Sequence, residues 1–410
     1  MRALVLITIT LIFFACNEPA GKKDLTSWTH FTIDEPLPGE SWGTGGPTLA
    51  DYDGDGDLDL ALSRRSVQTA YWYEYKNDST WIRHKIGEHI GLDNTLGTTA
   101  LDIDQDGAMD IVFGHVWFRN PGDLGSKPDA LWEPNDYPGR GHDIVTVDVD
   151  GNGVDDFMVY NGKRLSWFNV NNELEEVIIS EGYDDHGGLA PGGVGDIDND
   201  GDVDAIIPGY WFANPGNGSG SWERFEWPFT EIPKASYGRS ARSWIEDIDK
   251  DGDVDIIYSH CDTGWGHVYW VRNDDKGNMW NSIQLPDPPT REGDVEGTGS
   301  FHSLGVADFD LDGDLDIFAG EQEDPDVYME ENGLLAMKPR GLKERGVIWE
   351  NDGASSPNFT PVVIHTDNPG WHDASIGDID GDGDIDIATK VWNADGPDYH
   401  ADYWRNDIVR

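Results

Sequence analysis

The sequence predicts an all-β fold, a seven-bladed β-propeller with Ca-binding loops and a ring closed by an N-terminal strand. Three observations predict it. A nine-residue acidic pattern, DxDxDGDxD, occurs seven times. Its copies start 51, 46, 48, 51, 61 and 70 residues apart, a spacing that marks a repeat architecture. Each repeat holds four short strand-like pieces and no amphipathic helical stretch, which is the content of one propeller blade.

The loops come first. In the seventh copy, residues 378–386, carboxylates stand at places one, three, five, seven and nine, with Gly383 at place six. Short acids alternating with turn formers can wrap a hard cation, and Ca²⁺ takes about six to eight oxygen ligands in flexible geometry. The expected ligands are Asp51, Asp53, Asp55 and Asp59 in the first loop, and Asp102, Asp104, Asp106 and Asp110 in the second. The third offers Asp148, Asp150, Asn152 and Asp156; the fourth Asp196, Asp198, Asp200 and Asp204. The fifth offers Asp247, Asp249, Asp251 and Asp255, the sixth Asp308, Asp310, Asp312 and Asp316, the seventh Asp378, Asp380, Asp382 and Asp386. Up to seven structural Ca²⁺ ions are expected. Asn152 keeps an oxygen but removes a charge, and Ala108 and Val154 replace the acid at place seven, so the third site is the least complete. An EF-hand needs Glu at place twelve; here that place holds Leu62, Phe113, Val159, Ile207, Tyr258, Ala319 and Thr389. The chain continues as a strand, so each loop joins two strands.

The fourth repeat shows all four strands: 192–195 before the loop, 205–208 after it, then 210–212 and 222–227. These loops and their flanking strands resemble FG-GAP/VCBS repeats over roughly residues 27–408. The resemblance implies a Ca²⁺-binding propeller in which every acidic loop joins the innermost strand to the second, on one face of the disc.

At the N-terminus, residues 1–16 read as a signal. Arg2 precedes an apolar run too short to span a bilayer, and residues 13–16 resemble a bacterial lipobox with Cys16 as the lipidated residue. Residues 17–26 form a polar tether and 27–410 the propeller. The expected setting is an exported, membrane-anchored lipoprotein, periplasmic or on the cell surface, touching membrane only through its lipid. Cys261 is the one other cysteine, so no internal disulfide forms, and a buried inert thiol is expected. Residues 28–34 look like a fourth strand with no blade ahead of them, while the seventh repeat ends after its third strand. The N-terminal strand then closes the ring as a monomer and protects the open edge.

The net charge of −51 argues against nucleic acid as partner. Trp72, Trp117, Trp167, Trp211, Trp270, Trp349 and Trp404 recur in the third strand, which suits packing between blades. Trp42, Trp265, Trp371 and Trp392 fall outside that pattern and are open as ligand contacts.

With the acidic loops on one face, the remaining two sets of turns share the other, and scarce basic residues gather there. Entering the innermost strands are Arg140, His142, His186, Arg239, Arg242, His302 and His372. Leaving the second strands are Arg64, Arg65, His115, Lys163, Arg164, His260 and Lys390, joined by Tyr210, Tyr237 and Glu321. His142, His302 and His372 each precede the first Asp of their loop by six residues; His115, His260, Arg64 and Glu321 each follow the last by five. Residues that differ from blade to blade at equal register suit one composite site on the axis. Three such His could also hold Zn²⁺.

An Arg/His cluster in an acidic protein suggests an anionic glycan. Elimination on a uronide needs an Arg to neutralise the carboxylate, a His base and a proton donor. The candidates are Arg242, Arg239 and Arg65; His142, His302, His372, His115 and His260; and Tyr210 or Tyr237. Residues 115–122, 301–308 and 370–378 also resemble the propeller domain of aldos-2-ulose dehydratase and propeller lyases of rhamnosyl-glucuronate linkages, which implies elimination across a sugar ring. The competing expectation is a non-catalytic glycan- or protein-binding propeller. The long insertion at 322–345, with Lys338, Arg340, Lys343 and Arg345, emerges on the same face, as a wall or a plain loop.

Overall fold

The computed structural model describes residues 24–39, 43–93, 96–231, 238–263, 266–291, 299–322, 343–366, 370–391 and 399–409. The leader with Cys16, Trp42, Tyr237, Trp265, Trp392, Lys338 and Arg340 lie outside the described residues. What is described is almost wholly β, with two short 3-10 turns at Ile90–Leu92 and Val170–Asn172.

Seven sheets repeat one topology, four antiparallel strands in succession, and the fifth sheet adds two short strands parallel to its first. The first blade is Thr48–Ala50, Asp59–Arg64, Thr69–Asn77 and Thr80–Glu88. The last is Asp373–Gly377, Asp386–Lys390 and Ala401–Asn406, completed by Trp28–Asp34. That N-terminal strand runs antiparallel to Ala401–Asn406 with Trp28 opposite Asn406, so the chain's start supplies the outer strand of its final blade.

Burial explains the strand chemistry. Second strands are covered on both faces by neighbouring blades; Asp59–Arg64, Asp255–His260 and Asp316–Glu321 are buried along their whole length. The outermost strand Glu223–Glu226 is exposed throughout and charged to match. The core lies between blades. Trp72 packs with Ile111 and Phe118 of the next blade, and Trp167 with Ala205 and Phe212. Trp371 joins this core rather than a ligand surface: it is fully buried and stacks on Trp404 at 4.4 Å.

An asparagine at the end of the third strand latches the junction in the second, fourth, fifth, sixth and seventh blades. Asn120 N–H donates to Asp110 Oδ1 in its own blade, while its Nδ2 donates to Tyr52 O of the blade before, at 2.9 Å. Asn214, Asn273 and Asn406 repeat the bond to Val149, Ile197 and Phe309 carbonyls. Place nine of the acidic loop is therefore a backbone acceptor holding two strands together.

The fourth blade departs from the expected continuous strand at 192–195. Pro191–Gly192 instead runs parallel to Arg239–Glu246 of the fifth blade, and Val194–Gly195 pairs at home with Asp204–Ile207. Upstream, Asp185–His186 also lies parallel to Arg239–Glu246. This crossing carries His186 toward the axis.

Candidate functional site

Register separates the two ends of every blade. In the third blade Val147 lies opposite Asp156 beside the acidic loop, and Asp143 opposite Tyr160 at the far end. In the seventh Gly377 faces Asp386 and Asp373 faces Lys390. The acidic loops and the His/Arg turns thus occupy opposite ends.

At the acidic end the loops share one backbone. Place six is glycine with φ between 86° and 102° in all seven, a left-handed conformation that a side chain would strain. Place four is left-handed too, even where it is Gln105, Asn199, Lys250 or Leu311. In the first loop Asp51 accepts from the N–H groups of Gly54, Asp55 and Gly56, curling the turn around its own carboxylate. Donor atoms of Asp51, Asp53 and Asp59 lie within 4.8 Å of one another, as do the matching triads in the second, third and fourth loops. Burial pushes Asp59, Asp204, Asp316 and Asp386 up to about 8, with neighbouring carboxylates adding to it. Asp310 Oδ2, Asp314 Oδ1 and Asp384 Oδ1 are buried with no hydrogen-bond donor among the described residues. Converging, desolvated carboxylates of this kind fit a hard cation.

At the opposite end the blades enclose a cavity of about 190 Å³, lined by residues of all seven innermost segments, among them Thr48, Thr98, His142, Pro191, Arg242, His302 and Asp373. Arg242 crosses it. Its Nη1 donates to Asp143 Oδ1 at 3.1 Å, Nη2 to Asp373 Oδ1 at 2.6 Å and Nε to His302 O at 2.9 Å. Asp373 also binds Lys390 Nζ at 2.8 Å. Burial alone would raise the carboxyls of Asp143 and Asp373; His142 and Arg242 beside the first, Lys390 and Arg242 beside the second, hold both well below the usual range.

Asp143 is wholly buried. Its Oδ2 accepts from the backbone N–H groups of Gly188, Leu189 and Ala190, and its Oδ1 from His142 Nδ1 at 2.6 Å. That bond leaves His142 Nε2 as the ring's acceptor, 3.2 Å from His186 Nε2. Burial pushes His186 down to about 3, so it stays neutral.

His142 and His186 also line a second, open hollow of about 790 Å³ with Arg140, Lys163, Arg164 and Glu181. Arg164 pairs with Glu176 at 2.8 Å. Arg140 and Lys163 make no ion pair among the described residues. A basic groove therefore opens beside the axial cavity, with His142 common to both.

The other expected residues are distributed differently. His302 lines the cavity; its Nδ1 donates to His372 O at 2.7 Å, and the two rings lie 3.8 Å apart. The convergent donor group is His302, His372 and Asp373, without His142. Arg242 and Lys390 already neutralise that carboxylate and would repel a dication, so the cluster does not fit zinc. His260 packs among Phe229, Tyr258 and Tyr269, away from the axis, and burial pushes it down to about 3. His115 is half-buried near Arg140. Arg239 forks onto Asp185, and with Tyr210 it lines a separate outer pocket. Arg64 is buried against Tyr399, and Arg65 is buried beside Gly43. Glu321 is clamped by Arg291 and Arg345. Cys261 is buried, its thiol raised by burial.

The acids Asp143 and Asp373 were not anticipated. Their signal in the sequence was an acid directly after His142 and His372.

The FG-GAP-like repeat family matches residues 51–113 and 247–319. These matches fall on the first and second loops and on the fifth and sixth, within seven blades of one topology. The chain is a seven-bladed β-propeller that contains FG-GAP-like repeats. No curated protein sequence matches this FG-GAP propeller. Among solved structures it is similar to an Agrocybe aegerita lectin that recognises non-reducing terminal N-acetylglucosamine, with 18% identity over 80% of this chain and 81% of that one, TM-score 0.50. The six-bladed fucose-recognising Aleuria aurantia lectin aligns at 12% identity over 80% of this chain and 97% of that one, TM-score 0.41. At these identities the likeness is one of fold.

Proposed function

We propose that the face opposite the acidic loops binds an anionic, uronate-bearing glycan and eliminates across its sugar ring, with His142 as base. One observation carries this reading: His142, oriented by buried Asp143, opens onto a groove whose Arg140 and Lys163 have no ion pair among the described residues. In a chain with 79 acidic and 28 basic residues, two uncommitted cations in one groove suit an external anion.

In this reading Arg140 and Lys163 stabilise the charge that develops on the sugar carboxylate. His142 Nε2 takes the proton from the adjacent carbon. The C–H electron pair becomes a C=C bond, the glycosidic C–O bond breaks, and His142 returns the proton to the leaving oxygen. Arg242 is not the carboxylate neutraliser, because Asp143 and Asp373 already hold it; it positions the dyad. Tyr210 lines the outer pocket instead, and so is not assigned the acid role. The acidic loops hold structural Ca²⁺, and the leader reading makes the protein an exported lipoprotein.

A panel of glucuronate-containing glycans followed by ultraviolet absorbance tests the chemistry. Unsaturated products, lost in His142→Ala, are expected. Binding of such a glycan without any product would leave the second reading, a binding propeller, which the saturation of Arg242 favours.

A further inference from the structure

The seven acidic loops share a backbone but not a charge balance. In the second loop Arg119, at the end of Val116–Arg119, sets Nε on Asp104 Oδ2 and Nη2 3.0 Å from Asp106 Oδ2. Those carboxylates stand at places three and five, two of the ligands a cation would take. The same loop has Ala108 where most others carry an acid.

Unpartnered carboxylate oxygens also differ from loop to loop. Asp310, Asp314 and Asp384, at 1, 8 and 0% exposure, each keep a buried oxygen with no donor among the described residues. The second and fifth loops have no such oxygen among their described carboxylates. Elsewhere the contact is weaker: in the first blade Lys76 lies 3.5 Å from Asp55 and is held more closely by Glu74, and in the third the neutral Asn169 donates to Asp150 Oδ2 at 3.1 Å. The place before the latching asparagine is Ala213 in the fourth blade and Glu350 in the sixth. In the fifth, Arg272 comes no nearer to Asp249 than 3.9 Å. In the seventh, Arg405 turns to Asp78 and Asp407.

We infer that in the second loop the Arg119 guanidinium stands in for the cation, so that this loop binds Ca²⁺ roughly tenfold less tightly than it would without Arg119. The inference rests on the reading of the loops as calcium sites. Its physical basis is twofold: Ca²⁺ must displace two charge-assisted contacts and then tolerate a cation at close range, each of modest size at an exposed site.

Native mass spectrometry of the full chain across a calcium titration tests it. At free calcium where wild type stops short of full loading, Arg119→Gln is expected to carry one ion more, with Arg119→Lys between the two. The Arg119 side chain is 43% exposed, so neither substitution opens the core. Superimposable loading of wild type and Arg119→Gln overturns the inference alone. No bound calcium in either protein overturns the inference and the loop reading together.

Discussion

His142 Nδ1 donates to Asp143 Oδ1 at 2.6 Å, and Asp143 is in turn fixed by three backbone N–H groups and Arg242. The ring's orientation and tautomer are thereby set by a group with no exposure of its own. His142→Gln is expected to lower kcat by about 10²- to 10⁴-fold, the usual worth of a positioned base, with glycan affinity changed less than about threefold. Progress curves of ultraviolet absorbance by the unsaturated product measure this; unchanged turnover would remove His142 from the reaction.

Arg140 and Lys163 are expected to act on binding. Arg140→Ala and Lys163→Ala should each raise KM about three- to tenfold, near 1 kcal/mol for an exposed charge contact, and lower kcat as well, since each also stabilises charge that develops in the reaction. The double variant should also flatten the salt dependence of binding, since fewer screened charges remain. A salt response identical to wild type would place the anion elsewhere.

Acidification should destabilise the fold through His260. Its ring is 1% exposed and pushed down to about 3, against 6.5 in its ordinary state. Between those values the unfolded chain binds a proton that the folded chain refuses, so stability falls as pH falls from 6.5 toward 3. At pH 4.5 the loss from this one group is on the order of 2–3 kcal/mol. His260→Phe, filling the same aromatic surroundings, should flatten the decline of Tm between pH 7 and 4.5. Parallel declines in both proteins would show that His260 does not contribute.

Chelation should lower Tm, and Ca²⁺ should restore it better than Mg²⁺, which demands near-octahedral geometry that such flexible carboxylate loops do not impose. Thermal melts across a chelator titration decide the matter; a constant Tm would leave the loops as hydrogen-bonded turns only.

Removing residues 1–34 should expose Ala401–Asn406 as an unpaired edge, because Trp28–Asp34 is its partner and His30 stacks on Trp404 at 4.2 Å. A lower Tm and oligomers in light scattering are expected, as open strand edges recruit one another. A monomer as stable as the full chain would mean the ring closes without that strand.

The candidate site was legible in part. The sequence register put His142, His302 and His372, with Arg242 close by, at one end of the ring; His142, His302 and Arg242 line the axial cavity, and His372 is not among its lining residues. Register failed for residues five places after a loop. Side chains alternate along a strand, so His260 shares a sheet face with Tyr258, Glu321 with Ala319 and Arg64 with Leu62, all of them facing the junction between blades. Lys390, four places after its loop, has the opposite parity and reaches Asp373.

By itself the sequence determined the repeat, the number of blades, the acidic turns and the strand that closes the ring, because each is written within one short period of chain. Tertiary structure alone decided which charges meet. Arg242 finds Asp143 and Asp373 from 99 and 131 residues away, and a strand crossing between the fourth and fifth blades brings His186 to His142. Such pairings depend on closing the ring, which sets residues of distant blades at one axis where no local pattern records their neighbours.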